Sequence, residues 1–159
     1  ESGYTLPDSS CIIAYLERIH PSPALYPADA KEFGRALFYE EYADTRLMDV
    51  ISPVFFERFV KKNLLKQPTD EARVQKALDE LIPPAFDWLE SELGERPWLV
   101  GSQFSVADIA AGSFFVNLHY GGEAVDRSRW PGLAAWVERV HARPSFKAAI
   151  EGEAVGFPR

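Results

Sequence analysis

A single cysteine, Cys11, and a single methionine, Met48, stand in a chain of 159 residues. One cysteine allows no internal disulfide and no multi-cysteine metal site, which fits a reducing compartment. The histidines His20, His119 and His141 are too scattered for a helical metal motif, so no metal is expected. Positive charge is scarce as well: 17 Lys and Arg face 24 Asp and Glu, a net charge of -7. No broad basic field is left to hold a phosphate backbone, and no nucleic-acid partner is expected. The small basic group Arg58, Lys61, Lys62 and Lys66 reads as solvated helix surface. The longest nearly unbroken apolar stretch, Ile109 to Val116, falls far short of the about 20 residues that cross a bilayer. Residues Glu1 to Leu6 have neither the positive start nor the apolar run of a signal peptide. These absences point to a soluble, cytoplasmic protein with no membrane partner.

Strand patterning is also nearly missing. Tyr4-Thr5-Leu6 is a short strand candidate stopped by Pro7, and one strand without a partner edge cannot make a sheet. What is present is helical, with 47% apolar residues to build a core. Cys11, Ile12, Tyr15, Leu16 and Ile19 recur at helical spacing until His20-Pro21, and three prolines then mark Pro21 to Ala28 as an extended connector. A long helical pattern follows from Asp29, with Pro53 expected to bend or break it. Thr69 reads as the cap of the next helix, whose interior is interrupted by Pro83-Pro84, so a kink or restart is expected there and a stop at Gly94. The helix opened by Ser105 is apolar on nearly all sides through Leu118, which places it in the middle of a core. Trp130-Pro131 and Pro144-Ser145-Phe146 open two more.

Two constellations carry chemistry. In Ser105-Val106-Ala107-Asp108 the serine can cap the helix while Asp108 returns a bond to the Ser105 N–H, the pattern of a capping box. A carboxylate heading a buried helix also suits catalysis, but the capping role satisfies helix-end donors that would otherwise be buried unpaired. In Asp8-Ser9 a hydroxyl and free N–H groups at a positive helix end suit a carboxylate, while Asp8 suits an ammonium. A zwitterionic amino-acid group would meet both, and a simple helix cap would use the same residues.

The stretch Asp8-Ser9-Ser10-Cys11-Ile12-Ile13-Ala14-Tyr15-Leu16 resembles a signature of the cytosolic glutathione transferases. Leu25-Tyr26-Pro27-Ala28-Asp29 resembles that family's linker, and Trp98 to Asp108 its most recognisable C-terminal stretch. Trp130-Pro131-Gly132-Leu133-Ala134-Ala135-Trp136 and Arg143-Pro144-Ser145-Phe146 are similar to its last helices. The resemblance covers essentially the whole chain. It implies a mainly α fold, a helical bundle of the glutathione-transferase C-terminal type. Residues 1–22 are expected to be a remnant strand and helix of a thioredoxin-like domain, and 23–159 the all-helical domain.

By the same resemblance Ser9 binds the γ-glutamyl carboxylate of glutathione and Asp8, standing where the family usually has Glu or Gln, faces its amino group. Phe38, Tyr39, Tyr42, Phe115 and His119 line the pocket for an electrophilic second substrate, and Ser105 with Asp108 form the structural capping box. The thiol-activating Tyr, Ser or Cys is expected upstream of residue 1, so no catalytic residue is assigned within this chain and the chain alone is expected to be inactive. Glutathione enters as a substrate, a homodimer is the expected assembly, and detoxifying conjugation is the implied role. The alternative is a non-catalytic binding or assembly module of the same fold.

Overall fold

The computed structural model of the protein describes residues 3–156, with side chains through Glu153. Helix α1 spans Ser9–Ile19. A long rod follows: α2 covers Ala30–Tyr42, wider i→i+5 turns cover Ala43–Leu47, α3 covers Met48–Phe55, and wide turns again cover Phe56–Leu65. Pro53 does not break this rod; it is buried inside α3, with the widened turns on either side of it. The rod ends where Lys66 turns left-handed at φ 53° and the Gln67 N–H bonds to the Lys61 carbonyl at 2.9 Å.

A second rod returns through α4 (Glu71–Lys76), wide turns over Ala77–Leu81, and α5 (Ile82–Leu93). The double proline marks a restart: Pro83 and Pro84 fall in the first turn of α5, where N–H groups have no intrahelical acceptor and a ring costs little. Helices α6 (Val106–Tyr120), α7 (Pro131–His141) and α8 (Pro144–Gly156) complete the bundle. No strand forms among the described residues; Tyr4 to Leu6 carries no ladder because no second edge is there to take its donors and acceptors.

The core lies between the two rods, α6 and α7. Leu47, Ile51, Val54, Phe86, Leu89, Leu133 and Trp136 are essentially inaccessible to solvent. Phe115 links them, 5.3 Å from Phe86 and 5.7 Å edge-on from Trp136. As its composition predicts, α6 buries residues all round, from Ala107 and Ala111 to Phe115 and Leu118. Gly112 lets α7 approach, since a Cβ there would stand 2.6 Å from Val140 Cγ1.

Both halves of the capping box are in place, but Asp108 does more than cap. Its Oδ2 accepts the Ser105 N–H at 3.0 Å and the Ser105 hydroxyl at 3.3 Å. Its Oδ1 accepts the Leu99 N–H at 3.0 Å and Trp136 Nε1 at 2.8 Å. One fully buried carboxylate therefore joins the start of α6, the loop before it and the centre of α7. Burial pushes its pKa above the ordinary aspartate value, and these donors draw it back part of the way.

Glu57 is a second buried hub. It accepts Lys61 Nζ at 2.7 Å, the Asp70 N–H at 2.9 Å and Arg73 Nη1 at 3.0 Å, fastening the end of the first rod to the start of the second. The cap of α4 is accordingly Asp70, whose Oδ1 takes the Arg73 N–H, and not Thr69, whose hydroxyl turns to the Glu57 carbonyl at 3.2 Å. The basic group is partly absorbed by the fold, with Lys61 on Glu57 and Arg58 on Glu71 and Glu123.

Asp108→Ala removes the acceptor of several buried donors and should cost about 3–5 kcal/mol, against about 0.5–2 kcal/mol for Ser105→Ala. Urea unfolding followed by far-ultraviolet circular dichroism measures both, and equal losses would mean that the Leu99 and Trp136 bonds carry nothing. Lys61, then the Asp70 N–H and Arg73, hold the Glu57 pKa below the ordinary value of 4.5. A depressed folded pKa means that its stabilisation is present above that value and is lost as pH falls through the folded pKa. Glu57→Gln should therefore weaken the protein at about pH 6, and the gap from wild type should narrow at about pH 3.

Candidate functional site

Helix α1 forms because Asp8 caps it and because apolar side chains recur along it, yet it buries none of them. Only Ile13 packs against the core, while Ile12, Tyr15, Leu16 and Ile19 are exposed. The helix mouth has an unusual backbone: Asp8 sits at φ 96°, ψ 126°. A non-glycine residue held at positive φ costs on the order of 1–3 kcal/mol, and such outliers collect at ligand sites. Asp8 Oδ1 accepts the Cys11 N–H at 3.0 Å, and its carbonyl accepts the Ile12 N–H at 3.1 Å. Among the described residues nothing accepts from the N–H groups of Ser9 and Ser10 or occupies the exposed Ser9 hydroxyl.

The helix mouth thus offers two free backbone donors and a hydroxyl beside a carboxylate. Donors at the positive end of the helix suit an anionic group, and the Asp8 oxygen left outside the cap suits a cationic one. Cys11 is exposed rather than packed. Its hydrogen bond with Asp8, and the nearby charge, raise its pKa above the ordinary thiol value, which disfavours the thiolate that sulfur chemistry needs.

None of the five residues assigned to a second-substrate pocket lines the apolar hollow between α6 and α8 or the one under α1, although Tyr39 and Phe115 share one core cluster with Tyr42 packed against it. Phe38, Tyr39 and Tyr42 gather round Trp88, with Tyr42 4.5 Å and Phe38 5.9 Å from it between ring centroids. The Tyr39 side chain is buried, and its hydroxyl donates to Glu92 at 3.0 Å. Phe115 belongs to the core between Phe86 and Trp136. His119 is exposed near the end of α6, 6.3 Å from the Tyr120 ring. Two apolar hollows lie elsewhere. One of about 380 Å³ runs between α6 and α8, lined by Ile109, Val116, Phe146 and Ile150. Another of about 180 Å³ lies under α1, lined by Ile13, Leu16, His20 and again Ile109.

Sequence reasoning passed over the carboxylates that organise this region. Glu17 in the last turn of α1 accepts the Leu25 N–H at 3.1 Å and the Tyr26 N–H at 3.3 Å. Glu40 on α2 accepts the Tyr26 hydroxyl at 3.1 Å. A sequence signal existed for Tyr26, which stands inside the linker motif, and for Glu40, which falls on the same helix face as Ala36, Ala43 and Leu47; Glu17 reads as surface.

A capped central helix and two flanking rods make the helical domain of the cytosolic glutathione-transferase fold, and a short open helix stands ahead of it. Residues 70–139 match the family profile described as glutathione S-transferase, C-terminal domain. The chain is similar to the probable glutathione S-transferase GSTU6 of Oryza sativa subsp. japonica, 23% identical over 96% of this chain and 66% of that protein. It is similar to FtsZ-localized protein A of Caulobacter vibrioides, 22% identical over 90% of this chain and 62% of that protein. Among solved structures it resembles a glutathione S-transferase from Methylobacterium radiotolerans in complex with glutathione sulfonate, at TM-score 0.67 and 32% identity, covering 91% of this chain and 66% of that one. The chain resembles glutathione S-transferases along nearly its whole length and matches their C-terminal helical domain over residues 70–139. It spans about two thirds of the length of these curated relatives.

Replacing Asp8 separates its two local roles. Asp8→Gly loses the cap but tolerates the positive φ, and should cost α1 a few tenths of a kcal/mol; Asp8→Ala loses the cap and keeps a strained Cβ, costing about 1–2 kcal/mol. Hydrogen exchange at the Ile13 and Ala14 amides measures the difference, and an alanine variant as protected as the glycine one would contradict it.

Proposed function

We propose that this chain is the distal part of a glutathione transferase that conjugates the glutathione thiolate to an electrophilic small molecule, and that Asp8 and Ser9 form one edge of its glutathione site. The observation that carries this reading is the mouth of α1, where Ser9 and two N–H groups are free beside an Asp8 held at φ 96°. Ser9 and the helix donors take the γ-glutamyl carboxylate, and Asp8 takes the ammonium. Residues 1–22 act as the last part of a thioredoxin-like domain and 23–159 as the helical domain. The group that ionises the thiol lies outside this chain, so the chain alone gives no turnover. Cys11, with its raised pKa, does not replace that group.

The exposed apolar residues Phe33, Leu37, Phe38 and Met48 along the first rod make a surface suited to a second copy in a homodimer. The soluble, largely acidic chain is read as cytoplasmic and its conjugating role as detoxifying. A second reading, a non-catalytic binding or assembly module, is favoured by the likeness to FtsZ-localized protein A. In that case the mouth of α1 is a helix cap and nothing more.

Titration of the chain with reduced glutathione, followed by amide chemical shifts, separates these readings. Binding at millimolar affinity centred on Ser9 and Ser10 is expected, weakened roughly 10–150-fold in Ser9→Ala, as for loss of one charge-assisted hydrogen bond. Equal binding by both proteins would remove Ser9 from the site. A conjugation assay on the same chain should read zero turnover.

A further inference from the structure

Helix α1 is 11 residues long and buries none of them. Helices that short are marginal on their own in water, and tertiary contacts ordinarily decide whether they persist. The polar contacts supply what burial does not. Both oxygens of the Glu17 carboxylate accept the Leu25 N–H, at 3.1 and 3.2 Å, and one also accepts the Tyr26 N–H at 3.3 Å. A negative charge in the last turn opposes the helix dipole, so Glu17 is poorly placed for the helix itself and well placed for the connector.

The connector is in turn fastened on two other sides. The Leu25 carbonyl accepts the Val106 N–H at 3.0 Å, at the first residue of α6 and within one turn of Asp108. The Tyr26 hydroxyl donates to Glu40 Oε2 at 3.1 Å, and Glu40 is only 4% exposed. Leu25 and Tyr26 therefore form a knot that joins α1, α2 and α6 through a few directed bonds, in a segment whose prolines would otherwise read as a passive spacer.

We propose that Glu17 is a positioning residue for the glutathione edge: it keeps α1 folded and oriented on the bundle, so that Ser9 and its neighbouring N–H groups at the opposite end stay preorganised. This rests on the reading of Asp8 and Ser9 given above. The coupling has a simple form, since a site formed only a fraction of the time binds with its dissociation constant divided by that fraction. If release of Glu17 leaves α1 formed one tenth of the time, glutathione affinity falls about tenfold with no contact to the ligand changed.

The test compares wild type, Glu17→Gln, Glu17→Ala and Ser9→Ala by hydrogen exchange and by titration with reduced glutathione. In Glu17→Ala the amides of residues 13–19 should exchange faster by about tenfold or more, and affinity should fall by a matching factor. The α6 amides and the urea midpoint should stay near wild type. Glu17→Gln keeps one acceptor oxygen and should recover part of both effects. Ser9→Ala should lose affinity with α1 protection unchanged, which separates contact from positioning. Unchanged α1 protection in Glu17→Ala overturns the proposal, and so does an affinity loss without a protection loss. Absence of glutathione binding by wild type overturns the reading of the site and with it the link to glutathione; the exchange measurements then decide by themselves whether Glu17 anchors α1.

Discussion

The carboxylate of Asp108 is the constraint on which this bundle turns. Four donors from three segments converge on a group that solvent cannot reach. A buried carboxylate is costly unless its lone pairs are matched, so the partners must arrive together or not at all. The register of α6 against α7, and the path of the loop from Trp98 to Phe104, follow from meeting that demand. Aromatic packing of Phe115 between Phe86 and Trp136 then fills the space that this register defines.

The same device recurs at lower cost across the molecule. Glu57 joins the two rods. Glu90 on α5 accepts the Gly132 N–H at 2.9 Å and the Leu133 N–H at 2.6 Å, and so caps α7 from another helix. Glu17 ties the connector to α1. In each case a carboxylate on one element satisfies backbone donors at the end of another, which gives an almost all-helical protein the directional cross-links that strand ladders give a sheet. The mouth of α1, like that of α2, is capped locally by the aspartate that precedes it, and Ser9 faces solvent.

Much of the fold was legible because local chemistry was consistent. Ser105 and Asp108 stood at capping-box spacing, α6 was apolar on every side, and Gly94 stopped α5 at φ 53°. Pro83-Pro84 announced an interruption, and the first turn of α5 is where two rings fit. Thr69 misled because its neighbour Asp70 is an equally good cap, and a distant residue, Glu57, settled which side chain faced the helix. Tyr4 to Leu6 has strand propensity but forms no strand, for want of the partner edge that its sequence already lacked. Of the candidate site, Asp8 and Ser9 could be picked out by motif. The positive φ of Asp8 could not, nor could the aromatic neighbours that Tyr42 and Phe115 meet.

By itself the sequence determined that this is an acidic, nearly all-helical chain of one glutathione-transferase type, with a capped central helix and a polar helix mouth near its start. Those properties reside in composition, period and residue pairs three or four positions apart, which the chain cannot avoid expressing. Which carboxylates become cross-links, which aromatics reach the core, and how α1 is held without burial were decided only in the tertiary structure. Glu17, Glu40, Glu57 and Glu90 look alike in sequence as charges on helices. They differ only in which donors the fold brings within hydrogen-bond reach, backbone N–H groups for Glu17, Glu57 and Glu90 and the Tyr26 hydroxyl for Glu40, and that depends on segments 8 to 43 residues away along the chain.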